Sequence, residues 1–280
     1  MWPFSRHPVV PVLRLAGPIG LATPLRPGLT LASAAQAIER AFSVSRLPTV
    51  ALAINSPGGS PVQSSLLFKR LRQMAEEKKK RIIVFCEDVA ASGGYYLAVA
   101  GDEIYADASS IVGSIGVISA SFGLDKAIGR LGIERRVYTA GDHKGALDPF
   151  LPEKPEEIER LKAVQRDVHD VFIGIVKDRR AGKLKASDSE LFSGAFWSAA
   201  QALNLGLIDG VTDVRSRMRE EYGPKVALRA IPLGGTGWLA RLRRLPSIAT
   251  APASELGSLA FAEDLVSAVE ARALWARYGL

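Results

Sequence analysis

Short apolar runs alternate with stretches of helical spacing through the first half of the chain, and this alternation limits the fold more than any other feature. "VVPVLRLAG", "TVALAIN", "RIIVFCE", "EIYAD" and "ERRVYTA" read as strands. Between them, Ser33 to Phe42 and Pro61 to Lys79 carry helical spacing, the first with Ser33 as a candidate N-cap and the second through Val62, Leu66, Leu67, Leu71 and Met74. Strands separated by helices of this length imply repeated βαβ crossovers and a largely parallel sheet, so the fold class is α/β.

After Pro149 the pattern changes. A long amphipathic helix, an arm spanning about 154–182, places Ile158, Leu161, Val164, Val168, Val171, Phe172 and Ile175 on one stripe. A shorter helical region ends in "ALNLGLIDG", where Gly206 stops the helix and Asp209-Gly210 turns the chain. A soft boundary falls in the Gly- and Arg-rich stretch from Ile231 to Pro246. It divides the chain into a domain of 1–230 and a helical C-terminal extension of 231–280. The last helix, about Ser254 to Arg277, sets Leu265, Val266, Val269 and Ala273 in register and needs a partner, its own domain or a sister subunit.

Composition narrows the classes further. With 48% hydrophobic and 23% charged residues over 280 positions, the chain is globular. The 36 basic against 29 acidic residues form no block of five like charges, so they read as solvated faces and not as a nucleic-acid footprint. A lone Cys86 in an apolar run excludes an internal disulfide and a two-cysteine metal site. The N-terminus is broken by Pro3, Arg6, Pro8, Pro11 and Arg14 where an export signal needs an apolar core. The uncharged run Ala108 to Leu124 is too rich in Ser and Gly to span a bilayer. The expectation is a soluble, cytoplasmic protein, with peripheral contact to the inner membrane left open through the short basic segment "GWLARLRRLP".

Four short segments carry the chemistry. "INSPGGSP" follows a strand and opens a helix; Gly58 and Gly59 there allow a tight turn with outward amides, a way to stabilise an oxyanion without a side chain. "ASGGYY" follows the next strand. Ser92 is either a helix N-cap or a nucleophile facing the positive end of a helix dipole, with the Gly93 amide as a second oxyanion donor. Both loops lie at the carboxyl ends of strands, where open α/β sheets place their sites. In "TAGDHKGALDPF", Lys144 is a solvated loop lysine or, if Ala146, Leu147 and Phe150 bury it, a general base of lowered pKa. In "IVGSIGV", Ser114 offers a hydroxyl between two glycines. Only His7, His143 and His169 are present, the last a surface residue on the long helix, so a Ser-His-Asp triad is poorly supplied.

These motifs, with the later "FWSAAQALNLGLIDG", resemble the signal peptide peptidase A family of serine proteases, peptidase family S49, over about Leu13 to Asp213. The resemblance implies a ClpP/crotonase-type fold and a Ser-Lys dyad: Ser92 as nucleophile, Lys144 as general base, Ser114 orienting the lysine, and the amides of Gly59 and Gly93 as oxyanion hole. It also implies peptide substrates such as remnant signal peptides, no metal or other cofactor, and a ring- or dome-like homo-oligomer. ClpP peptidases place a His base about 25 residues after their serine; here that position is Val117. The N-terminal membrane anchor usual in signal peptide peptidases is not visible, which opens short unfolded peptides as substrates. Two other readings stand beside the peptidase. A crotonase-type acyl-CoA enzyme would need an acid near the glycine loops, with Asp88 the nearest, and a non-catalytic scaffold would keep only the fold. His143 competes with Lys144 for the role of base.

Overall fold

In the computed structural model, which describes residues 7–20, 28–233, 269 and 271–280, the elements in chain order are β1 (Val9–Ala16), α1 (Leu31–Ser43), β2 (Thr49–Ser56), α2 (Pro61–Lys78), β3 (Arg81–Ala91), α3 (Gly93–Ala98), β4 (Glu103–Ala106), β5 (Ile111–Gly113), α4 (Asp125–Arg130), α5 (Pro155–Arg179), α6 (Asp188–Leu191), β6 (Phe196–Ser198), α7 (Ala199–Asn204), β7 (Gly210–Val211), α8 (Val214–Tyr222) and β8 (Ala227–Ile231). Every residue of β2 is buried, as its unbroken run of apolar and small side chains requires of a strand covered on both faces. It sits inside an eight-stranded sheet of order β6-β5-β3-β2-β1-β8, with β4 beside β3 and β7 beside β4. All pairings are parallel except β5 with β6.

The helices cover both faces. Leu67 and Leu71 of α2, Ala37 and Ile38 of α1 and Phe172 and Val176 of α5 pack with Leu52, Ile54 and Val84 on one side. Met218 of α8 packs with Val10, Ala51, Ile83 and Phe85 on the other. A bulge places three residues of β3, Glu87 to Val89, opposite the single Asn55 of β2. The bend lets β3 pair with β4 through Ile83–Cys86 and then with β5 through Val89–Ala91. Residue 92 therefore leaves the sheet next to β5.

Several expectations need correction. "ERRVYTA" is not a strand: residues 133–139 are irregular, and Val137 and Tyr138 are exposed, because among the described residues no strand lies alongside to accept their backbone. Thr30, not Ser33, caps α1; Ser33 is the reciprocal partner of a capping box. Val62 and Leu66 face solvent, and the buried stripe of α2 runs through Ser64, Leu67, Leu71, Met74 and Ala75. Of the long stripe on α5 only Phe172 is buried, together with Val176; Val164 and Val171 are exposed. The front half of α5 thus stands clear of the core, beside an excursion at 118–154 whose side chains are mostly exposed.

Cys86 is a buried strand residue, as its apolar run implies. Most of the Ile231–Pro246 boundary, the basic segment and the first half of the last helix lie outside the described residues. Residues 271–276 are helical, and Tyr278 packs on Val89 and Ala91. Among the described residues no helix is long and apolar enough to cross a membrane.

Candidate active site

Ser92 occupies the single residue between β3 and α3 with φ 52° and ψ −122°. A side chain with Cβ rarely takes positive φ, and holding it there costs about 1–3 kcal/mol. The turn is fixed from both sides: the Ser92 amide donates to the Gly113 carbonyl at 2.8 Å, and the Ser92 carbonyl accepts from the Tyr96 amide at 3.0 Å. The Ser92 hydroxyl makes no capping hydrogen bond. The N-cap alternative therefore accounts for the position of Ser92 but not for its side chain, which stays half-buried and uncommitted at the mouth of a cleft.

The loop after β2 is pressed against this turn. A Cβ on Gly58 would lie 2.8 Å from both the Gly93 nitrogen and the Ser92 Cβ, and one on Gly59 would lie 2.1 Å from the Ile19 carbonyl oxygen. Their φ values, 101° and 141°, also exclude ordinary side chains. The bonds Ile19 N–H to Gly58 O and Ser60 N–H to Ile19 O, both 2.8 Å, pin the loop. The Gly59 and Gly93 amides have no acceptor among the described residues. Two uncommitted N–H groups thus come from loops in direct contact, one of them the residue after Ser92. Such a pair can hold the oxygen of a carbonyl under attack.

Ser114 is buried with φ 53° and donates its amide to the Ala195 carbonyl at 2.7 Å. It adjoins Gly113, the acceptor for the Ser92 amide, but it does not line the cleft. That cleft, about 30 Å³, is walled by Gly59, Pro61, Ser64, Ser92, Gly93 and Tyr96, closed by Gly116, Val117, Val168 and Phe172. Among the lining residues there is no charged group.

Lys144 is not among the residues that line the cleft. It is exposed within the excursion, in a run of turns where its amide donates to Gly141 O at 3.1 Å, and Ala146, Leu147 and Phe150 do not bury it. Beside it, His143 Nε2 lies 3.2 Å from Arg160 Nη2 on α5, also outside the cleft. Asp88 is exposed and accepts from Asn55 Nδ2 at 2.5 Å; it neither caps the serine loop nor lines the cleft.

Sequence reasoning missed Tyr96 and Ser64 and took His169 for a surface residue, which the structure corrects. His169 is half-buried, with Nε2 3.0 Å from the Ile115 carbonyl oxygen. The available signal was helical spacing, since His169 stands three residues before Phe172 and beside Val168 on the apolar stripe. Tyr96 packs on Phe172 and Phe68 with centroids 4.9 and 5.6 Å apart. Burial pushes its hydroxyl above the ordinary phenol range, against a smaller lowering contribution from Ser65. The tail of α5 is fixed to the domain by Arg180, whose guanidinium pairs with Asp209 at 2.7 Å and with the Gly206 carbonyl.

A serine held in a strained strand-to-helix turn beside two uncommitted amides is an arrangement that acyl-transfer chemistry can use. Comparison with known proteins gives the family: residues 74–223, just over half of the chain, match the model of peptidase family S49, and the chain belongs to that family. It is 54% identical over 97% of its length to a Brucella abortus protein called Na(+)/H(+) antiporter NhaA, and 31% identical over 71% of its length to the chloroplastic serine protease SPPA of Arabidopsis thaliana. The chain spans only 37% and 29% of those two relatives, and the segment shared with the first is the one that contains the S49 match. A membrane-bound stomatin-specific protease, 1510-N, has the same fold with a TM-score of 0.50 at 16% identity, covering 81% of this chain and 99% of that one. The ClpP-like, mostly parallel α/β architecture is thereby shown.

Proposed function

We propose that the protein is a serine endopeptidase in which Ser92 is the nucleophile and Lys144 the general base. The observation that carries this reading is the Ser92 turn: a strained backbone, a hydroxyl with no capping role, and the unpaired amides of Gly59 and Gly93 alongside. Neutral Lys144 takes the Ser92 proton as Oγ bonds to the scissile carbonyl carbon. The two amides hold the oxyanion, and the lysine ammonium returns the proton to the leaving amine as the C–N bond breaks. Water, deprotonated by the same lysine, then releases the acyl group and restores the serine. Ser114 orients the lysine when it arrives.

The exposed position of Lys144 sets a condition on this chemistry. The excursion that carries it exposes Phe122, Leu131, Ile133 and Tyr138, a set of large apolar side chains suited to docking. We take homo-oligomer formation to cover this surface and to bring a lysine to each Ser92, where exclusion of water favours the neutral amine. Short or unfolded peptides, remnant signal peptides among them, are the substrates that the family's protease-named relatives and a site without charged walls support. The crotonase-type alternative gains nothing from Asp88, which is engaged with Asn55.

The test is peptide-library cleavage read by mass spectrometry for wild type, Ser92→Ala, Lys144→Ala, Lys144→Arg and His143→Ala. The dyad requires that only wild type and His143→Ala cleave, since an arginine at 144 stays charged at every working pH. Mixing the Ser92→Ala and Lys144→Ala proteins tests sharing between copies. Restored cleavage shows that the lysine crosses between subunits, and its absence places both groups in one chain.

A further inference from the structure

The stretch that follows β5 has no ladder to hold it. Residues 114–124 belong to no helix or strand, yet the stretch supplies Gly116 and Val117 to the cleft. Gly113, the last residue of β5, supplies the carbonyl that accepts the Ser92 amide. Two point contacts fix its start. On one side the Ser114 amide donates to Ala195 O at 2.7 Å. On the other, His169 of α5 reaches the Ile115 carbonyl at 3.0 Å, between Ser114 and Gly116.

A carbonyl oxygen only accepts, so Nε2 of His169 carries the proton in this contact and Nδ1 does not take part. His169 is itself fixed by its helix, where the adjoining Val168 and the next-turn Phe172 both line the cleft. One half-buried N–H thus ties the wall made by α5 to the wall made by residues 115–117.

We propose that His169 is a positioning residue for Ser92, acting as a fixed hydrogen-bond donor through Ile115 and Gly113 and not as an acid or base. The proposal rests on the reading of Ser92 as the nucleophile. It makes a stereochemical prediction, because a glutamine amide nitrogen superposes on imidazole Nε2 whereas an asparagine amide nitrogen superposes on Nδ1. His169→Gln keeps the donor in place; His169→Asn and His169→Phe remove it.

The experiment is the kinetics of covalent labelling by a fluorophosphonate probe in the full chain, with the maximal inactivation rate separated from probe affinity. Ser92→Ala is the control, and melting temperature is measured for each variant. A displacement of about 1 Å at a reacting group is worth up to ~100-fold in rate. The expected result is a maximal rate ~10–100-fold lower in His169→Asn and His169→Phe with affinity within about 3-fold, and a rate within about 3-fold of wild type in His169→Gln, with all three folded. If wild type labels at Ser92 but His169→Asn and His169→Phe react at the wild-type rate, the positioning role is overturned and the nucleophile stands. If His169→Gln falls as far as the other two, the donor role is overturned. If Ser92→Ala labels like wild type, the nucleophile assignment itself fails.

Discussion

Replacing Ser92 by glycine should make the protein more stable while abolishing any chemistry at that position. The residue stands at φ 52° and ψ −122°, where a Cβ is strained by about 1–2 kcal/mol and glycine is not. Glycine brings a cost of its own, about 0.5–1 kcal/mol of additional unfolded-state entropy. The midpoints of the two ranges leave Ser92→Gly about 0.75 kcal/mol more stable than Ser92→Ala, which keeps the Cβ and its strain. In a chain of this size that corresponds to roughly 1.5–3 °C in melting temperature. Since the Ser92 hydroxyl caps nothing, Ser92→Ala itself should melt close to wild type. Calorimetry on the three proteins at one concentration reads both comparisons. If Ser92→Gly melts below Ser92→Ala, the strain is absent and the argument that the turn is built for a nucleophile loses its basis.

Gly59→Ala places a Cβ 2.1 Å from the Ile19 carbonyl oxygen at φ 141°; urea unfolding should show a loss of about 2 kcal/mol or more, and probe labelling of Ser92 should fall with it. Cys86 should resist iodoacetamide at pH 8 in the native state and react once unfolded, because burial pushes its thiol up to about 12. Burial pushes the Asp209 carboxyl up, but hydrogen bonds from Arg180, Lys183 and the Ile104 amide outweigh it and hold the group below the usual carboxylate range. A carboxyl depressed on folding contributes stability that is present above its unfolded pKa, about 3.9, and is lost as pH falls through its folded value. Asp209→Asn leaves the buried Arg180 uncompensated and should cost about 3 kcal/mol at pH 7, a deficit that narrows on acidification in urea titrations at pH 7, 4 and 3.

What was legible from sequence follows from what each segment can bury alone. β2 and most of β3 announce themselves because a strand covered on both faces must be apolar, and β1 and β4 through their alternation of apolar positions. Ser92, Gly59 and Gly93 were legible for a related reason, since a close approach of two loops admits only small residues. "ERRVYTA" misled because β-propensity describes a half-buried surface. Among the described residues nothing covers Val137 or Tyr138, the latter 91% exposed. The stripe on α5 is likewise apolar beyond what the described residues bury, with Val164 and Val171 exposed. His169 was taken for a surface residue because its partner is one carbonyl 54 residues away, which no local pattern encodes. Lys144 is the reverse case, conspicuous by family resemblance but exposed and absent from the lining of the cleft.

The central claim is that Ser92 is the nucleophile, and peptide mapping by mass spectrometry after fluorophosphonate labelling tests it most directly. The account predicts a single adduct on Ser92, absent from Ser92→Ala, with peptide cleavage lost in proportion to labelling. An adduct on another residue, or cleavage by Ser92→Ala at the wild-type rate, would contradict it.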